Sequence, residues 1–202
     1  MYIPAFNKFP NQQEAINFMQ RYSFATIVTA DHDVPVATHL PFLIEQRDDK
    51  VALLSHFAKA NPQALGIINK PVLVIFTEPH AYISPANYEK ENNVPTWNYL
   101  AVHAYGKASL LAEENETVEL LAKMINNYEP GYLQQWNNLP GDYKQKMIKG
   151  IVAFEIIVDD LQGKQKLSQN RSALERENII NTLSKSEDSV ESEIANYMSK
   201  LK

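Results

Sequence analysis

Two short polar segments carry side chains that could bind a charged ligand, and the first is residues 56–62, with the sequence HFAKANP. It follows a predicted strand and opens a turn into a helix, where backbone N–H groups and the amine of Lys59 can receive a phosphate. The segment has no glycine cluster and no GK[ST] sequence, so it is not a P-loop. A plain strand-to-helix connection is therefore the alternative interpretation.

The second segment is residues 166–171, with the sequence KLSQNR, shortly after the last predicted strand. It supplies two cations, a hydroxyl and two amides within six residues. Such a set can bind a phosphate and the edge of a heterocycle. The alternative is a solvated helix start with Ser168 or Asn170 as its cap, and the sequence leaves both interpretations open.

Aromatic residues are concentrated in residues 80–106, which hold one of the two tryptophans, four of the ten tyrosines and two of the five histidines. Strand-like runs enclose this stretch. It is either a loop that covers a core or the wall of a pocket for a flat ligand, with Trp97, Tyr82 or Tyr99 near a ring system.

The sequence predicts no metal site and no catalytic residue. The five histidines show no HxxxH or HExxH spacing, and the chain has neither a cysteine nor a GxSxG sequence. His39 lies in the run ATHLPF, where strand alternation puts Thr38 and Leu40 on one face and His39 on the other. A lone strand histidine is more often packed or hydrogen-bonded than catalytic, although Pro41 indicates an edge or bulge.

Composition indicates a globular protein, with 202 residues, 45% hydrophobic and 21% charged. Residues 1–112 carry eight Lys/Arg against nine Asp/Glu, and residues 113–202 carry eleven against fifteen. Neither half has the basic surplus that duplex DNA binding usually requires, so DNA is a possible partner that charge does not support. The absence of cysteine, of a signal pattern and of a long apolar run predicts a cytoplasmic protein without membrane contact.

Periodicity predicts the elements that position these side chains. A helix capped by Asn11 runs to about Tyr22, helices follow at 113–127 and 142–149, and a helical turn is expected at 61–69. The tail, 172–202, reads as two helical pieces divided near 184–188. Six strands are predicted, at 24–30, 35–44, 50–55, 72–77, 101–111 and 150–159. Short turns between them predict an antiparallel barrel with added helices.

The chain resembles a known family. The runs MYIPAF, ATHLPF, HFAKANPQ, PHAYISP, VPTWNY, AVHAYGKA, GIVAFEI and KLSQNR occur in this order in PaiB-like proteins, which are also called FMN-binding negative transcriptional regulators. The resemblance extends from residue 1 to about 171 and loosely into the tail. It implies an α+β, mainly antiparallel FMN-binding split β-barrel at 1–171, with a helical extension at 172–202 packed on it. It also implies a homodimer with FMN at the subunit interface.

The same resemblance implies a role for thirteen residues as FMN contacts. The resemblance places Thr38 and His39 near the isoalloxazine ring or the ribityl chain of FMN. Near the phosphate or ribityl it places Ser55, His56, Lys59 and Asn61. Thr96, Trp97 and Asn98 would wall the flavin on one side, and Lys166, Ser168, Gln169 and Arg171 would close the site from the other. The chain lacks the phosphate clamp of several arginines that the related oxidases show.

Three functions remain open at this point. The first is an FMN-binding protein that acts as a negative transcriptional regulator. The second is a flavin-dependent reductase or oxidase acting on a small substrate. The third is a scaffold that works by protein contact without a cofactor. NAD(P)H oxidation dependent on FMN would favour the second.

Overall fold

The architecture is α+β with one mainly antiparallel sheet, in a computed structural model that describes residues 1–68 and 70–201. The described chain forms seven strands, β1 Phe24–Asp31, β2 Val34–Pro41, β3 Leu43–Arg47, β4 Lys50–Ala58, β5 Pro71–Ile83, β6 Thr96–Leu110 and β7 Ile151–Lys166. Their order in the sheet is β2-β1-β5-β6-β7-β4-β3. This confirms the predicted fold class, although the sheet is open and not a closed barrel.

Seven α-helices accompany the strands within the described residues. They are α1 Gln12–Arg21, α2 Gln63–Gly66, α3 Glu114–Tyr128, α4 Leu133–Asn138, α5 Gly141–Ile148, α6 Ala173–Leu183 and α7 Ser189–Ser199. The predicted Asn11 cap is present, since its Oδ1 accepts a hydrogen bond from the Glu14 N–H at 2.9 Å. The turn predicted at 61–69 is α2, and Asn69 lies outside the described residues.

The predicted strand at 35–44 is two strands, which corrects the prediction of six. Pro41 ends β2 opposite Phe24 of β1, whereas Leu43 begins β3 opposite Leu54 of β4. Between them the Phe42 N–H donates to the Ser23 carbonyl at 2.8 Å. Because β2 and β3 are the two edges of the sheet, the chain passes from one edge to the other through a single residue. The sheet must therefore curl until its edges approach each other at Phe42.

Contacts divide the chain into two compact units, and three strands have residues in both. The barrel unit comprises Met19–Phe76 and His103–Leu161, and the terminal unit comprises Met1–Phe18, Thr77–Val102 and Gln162–Lys202. Both tail helices, α6 and α7, belong to the terminal unit. The division into a 1–171 domain and a 172–202 extension stays a prediction, and its last residue, Lys202, lies outside the described part of the chain.

The core of the barrel unit is a cluster of buried phenylalanines. Phe57 stacks on Phe154 with ring centroids 5.0 Å apart, and Phe42 meets Phe76 edge-on at 5.9 Å. Each such ring contributes roughly 1.5–3 kcal/mol by leaving water. The other face of β4 is also covered, because Ala52 and Leu54 pack with Leu120 and Met124 of α3. Burial on both faces explains why the sequence of β4 shows no clear alternation.

The ring-rich stretch lies mostly on strands, since β5 continues to Ile83 and β6 begins at Thr96. The connection between these strands is therefore residues 84–95, shorter than the sequence indicated. Within the residues that the structure describes, every helix is too short or too polar to cross a lipid bilayer.

Candidate functional site

A hydrogen-bond network in the barrel unit fixes the 56–62 segment, and Gln63 is its centre. Gln63 is only 4% exposed, and its amide nitrogen donates to the Thr29 hydroxyl at 3.0 Å and the Val36 carbonyl at 3.1 Å. Its amide oxygen accepts from Thr38 Oγ1 at 2.6 Å, and Asn61 Nδ2 donates to the same hydroxyl at 3.0 Å. The structure thus brings together Thr38 and Asn61, two of the predicted site residues.

Gln63 was not among the residues predicted from the sequence. The available signal was its place in HFAKANPQ, one residue after Pro62, where a helix begins. Its burial depends on β1 and β2 packing over α2, which spacing along the chain does not reveal.

Strand alternation separates other predicted residues of the barrel unit. The exposed His39 ring stacks against Phe24 at 6.3 Å, on the face opposite Thr38. Ser55 is fully buried and donates to the Pro41 carbonyl at 2.7 Å, whereas the next side chain, His56, points to the other face of β4. Burial lowers the pKa of His56, which favours its neutral form.

Lys59 has no ion-pair partner among the described residues of the barrel unit. Its backbone N–H donates to the Gly150 carbonyl at 2.8 Å, which anchors the chain at that point. Its side chain is exposed. The ammonium can therefore bind an anion without breaking an intramolecular contact.

In the terminal unit, Lys166 is held against the start of β6. Its ammonium donates to the Trp97 carbonyl at 2.7 Å and to the Thr96 hydroxyl. Burial, followed by the nearby charge of Lys164, lowers the pKa of Lys166. The sequence-predicted residues Thr96, Trp97 and Lys166 thus lie together.

The rest of KLSQNR forms the turn after β7. Ser168 adopts a positive φ of 59° and donates to Asn98 Oδ1 at 3.1 Å. The buried Asn98 in turn donates to the Met198 sulfur of α7 at 3.4 Å. Gln169 closes the turn locally, since its Oε1 accepts from the Leu167 N–H at 2.7 Å. These polar atoms are engaged within the chain and shape the backbone beside Lys166.

Arg171 anchors the 84–95 connection to α6. Its guanidinium lies over the Tyr88 ring and donates to Asn93 Oδ1 at 2.9 Å. Glu175 Oε2 is 3.8 Å from the same guanidinium, and Glu175 Oε1 accepts from the Glu89 N–H at 3.2 Å. The arginine therefore has several partners within the terminal unit.

Rings on β5 and β6 form what we call the aromatic face, defined by the exposed His80, Tyr82 and Trp97 and by the half-buried Tyr99. Trp97 is 51% exposed, meets Tyr82 edge-on at 5.8 Å and lies 5.9 Å from His80. Tyr99 is two residues further along β6 and so shares the face of Trp97. Solvent-facing rings of this kind can lie against a flat ligand.

In each unit, considered separately, the side chains described above can contact part of a flavin nucleotide. The terminal unit offers exposed rings for the isoalloxazine and Lys166 for a negative group. The barrel unit offers Lys59 for a phosphate. Within the described residues, no group of three His, Asp or Glu side chains could hold a metal ion.

Two comparisons with known proteins indicate the same family. A family model described as "Putative FMN-binding domain" matches residues 1–160. The "Protease synthase and sporulation protein PAI 2" of Bacillus subtilis is 44% identical over 201 residues, covering 98% of this chain and 96% of that protein.

Two solved structures share the fold at low identity. The flavocytochrome Anf3 from Azotobacter vinelandii has a TM-score of 0.63 at 14% identity, covering 81% of this chain and 72% of that one. The FAD and heme binding protein from Mycobacterium smegmatis has a TM-score of 0.62 at 14% identity, covering 79% and 73%. These two matches show the fold alone.

Proposed function

Because the chain belongs to the family of FMN-binding domains described above, we propose that it is an FMN-binding protein of the PaiB-like type that acts in negative regulation of transcription. FMN, the cofactor predicted from the resemblance, is the one that the family's description names. The observation that carries the site proposal is the exposed aromatic face beside Lys166, whose ammonium has no carboxylate partner among the described residues. When bound, FMN supplies one- and two-electron redox chemistry.

The predicted contacts divide into direct and supporting roles. Lys59, Lys166 and Trp97 have exposed or half-exposed groups that can reach a ligand, and His39 and His56 remain proposed contacts on their strand faces. The supporting residues hold the backbone through the hydrogen bonds described above, and they are Thr38, Ser55, Asn61, Thr96, Asn98, Ser168, Gln169 and Arg171.

A homodimer is part of the same proposal. Large exposed rings cost free energy in water, and Trp97 and Tyr82 are 51% and 47% exposed. A second copy of the chain over this face would cover them and would place FMN at the subunit interface. Analytical ultracentrifugation with and without FMN tests the dimer, and a monomer at micromolar concentration in both conditions would contradict it.

Regulation through direct DNA contact has little support from charge. The chain carries a net charge of −5, with 19 Lys/Arg against 24 Asp/Glu. We therefore expect fluorescence anisotropy at low salt to show no binding to duplex DNA. Regulation would then act through protein contact or through the state of the flavin. A salt-dependent rise in anisotropy at submicromolar protein would reverse this part of the proposal.

Titration with FMN tests the cofactor site directly. Quenching of flavin fluorescence should give micromolar or tighter binding for the natural chain. Lys166→Met should weaken it about tenfold, or about 1.4 kcal/mol, while Lys90→Met, at an exposed lysine of the same unit, should leave it unchanged. No binding by the natural chain would leave the cofactor-free scaffold as the better function, and FMN-dependent NAD(P)H oxidation would indicate a reductase.

A further inference from the structure

Lys164 is a lysine whose side chain is largely buried and has no carboxylate partner among the described residues. It is 9% exposed, and the only other charged residue among the buried, described side chains is Glu175. Glu175 has Arg171 and the Glu89 N–H as partners. The ammonium of Lys164 contacts only aromatic rings within the described chain, with Tyr99 at 5.1 Å and Tyr2 at 5.9 Å.

A second ammonium group lies beside it. Lys166 is two residues further along β7, so the two side chains share one face of the strand. Burial, followed by the positive charge of Lys164, lowers the pKa of Lys166. Lys166 is bound to a carbonyl and a hydroxyl, both neutral. The pair therefore concentrates two positive charges with no carboxylate from the described residues to balance them.

The cation–π contacts of Lys164 with Tyr99 and Tyr2 fix the position of its ammonium without balancing its charge. The ammonium is therefore available to an anion from solution, and a phosphate can accept hydrogen bonds from two such donors at once.

We propose that Lys164 and Lys166 form a phosphate-binding site in the terminal unit, next to the aromatic face, for a phosphorylated ligand that carries a flat ring. Tyr99 joins the two features, because its ring contacts the Lys164 ammonium and it shares a strand face with Trp97. The phosphate comes either from FMN, in which case this inference rests on the proposed function, or from a separate phosphorylated small molecule. Lys164 was not among the site residues predicted from the sequence, because the polar run considered there covers only residues 166–171.

The first experiment measures thermal unfolding without any flavin. Phosphate at about 10 mM should raise the Tm of the natural chain by about 2 °C or more relative to chloride at equal ionic strength, because it binds the folded state. Lys164→Met should lose this effect, and Lys164→Arg should keep it. Lys90→Met should match the natural chain in both conditions.

The second experiment compares FMN with riboflavin, which lacks the phosphate. If FMN supplies the anion, Lys164→Met should weaken FMN about tenfold and leave riboflavin unchanged. If a separate ligand supplies it, Lys164→Met should lose the phosphate effect on Tm and bind both flavins as the natural chain does. Either result supports the phosphate site. If Lys164→Met does not fold, Lys166→Met takes its place and should lose the same phosphate effect.

The two proposals fail in different ways. The phosphate site is overturned if phosphate changes the Tm of the natural chain and of Lys164→Met equally or not at all, and if both proteins bind FMN with equal affinity. That result leaves the FMN proposal intact. A natural chain that binds neither flavin but shows a phosphate effect dependent on Lys164 removes the FMN proposal and leaves the phosphate site.

Discussion

The guanidinium carbon of Arg171 lies 3.8 Å from the centroid of the Tyr88 ring. This distance indicates close stacking of a planar cation on a buried ring. The same guanidinium bonds Asn93 and approaches Glu175, so one side chain connects the 84–95 segment to the first turn of α6. The sequence predicted this arginine as a cofactor contact, and the structure shows a side chain that already stabilises the fold.

Arg171→Ala should therefore destabilise the protein by about 2–4 kcal/mol, because it removes the stacking contact and leaves the buried Glu175 carboxylate without its cation. Urea unfolding measures the change. Tyr88→Phe is the matched control, since the Tyr88 hydroxyl is buried without a hydrogen-bond partner in the described structure, and it should be neutral or slightly stabilising. Equal stability of Arg171→Ala and the natural chain would contradict the anchoring role.

Gly106→Ala should destabilise the barrel unit. An added Cβ would lie 2.2 Å from the Ile157 carbonyl oxygen and 2.8 Å from the Ile156 side chain, so the neighbouring strand must move. We expect a loss of about 1–3 kcal/mol in the free energy of unfolding. Gly66→Ala is the control, because nothing lies within 4 Å of its added Cβ, and in α2 it should stabilise the protein by about 0.5–1 kcal/mol. A neutral Gly106→Ala would show that β6 and β7 separate easily.

Gln63→Leu should cost about 2–3 kcal/mol, because Thr29, Thr38 and the Val36 carbonyl lose their common partner. The variant also tests whether the network positions the proposed FMN contacts. FMN affinity should fall with stability in Gln63→Leu, whereas Gln13→Leu, on the exposed face of α1, should change neither. Unchanged FMN affinity in a destabilised, folded variant would show that the network has only a structural role.

Glu45 should make stability depend on acid pH. Burial opposes its ionisation, but hydrogen bonds and charge from Arg47 and Lys123 outweigh this and lower the pKa of Glu45 below 4.5. A lowered pKa in the folded state stabilises the protein above pH 4.5, and this contribution disappears as pH falls through the folded value.

Unfolding curves for the natural chain and Glu45→Gln measure this effect. Their difference should be present at pH 7 and should shrink steadily below about pH 4.5. A constant difference between Glu45→Gln and the natural chain from pH 7 to pH 3 would contradict the prediction.

Local signals in the sequence predicted most helices and turns well. The Asn11 cap was confirmed, and the helix predicted at 113–127 is α3, Glu114–Tyr128. The short turn expected between the first two strands lies at His32 and Asp33, both of which have positive φ. Each of these depends on the chemistry of a few adjacent residues. Helix α4 was missed because its six residues have only Leu133 and Trp136 to mark a face.

Features set by pairing between distant segments were not predictable. The division at Phe42 is invisible in the apolar run from 35 to 44, because it depends on which strand each half pairs with. The predicted site shows the same limit. Lys166 was found from the density of polar residues around it, whereas Lys164 lies in a strand pattern where a lysine normally faces water. Its burial follows from Tyr99 and Tyr2, which are remote in sequence.

The terminal unit is assembled from three separate segments of the chain, and this has a consequence for its synthesis. The backbone of Lys8 forms an antiparallel β-bridge with Lys164, and the Met1 amine donates to Gln162. On the ribosome, residues 1–8 can therefore meet these partners only after residues 162–164 have emerged. Until then this segment should stay sensitive to protease and open to binding by a chaperone.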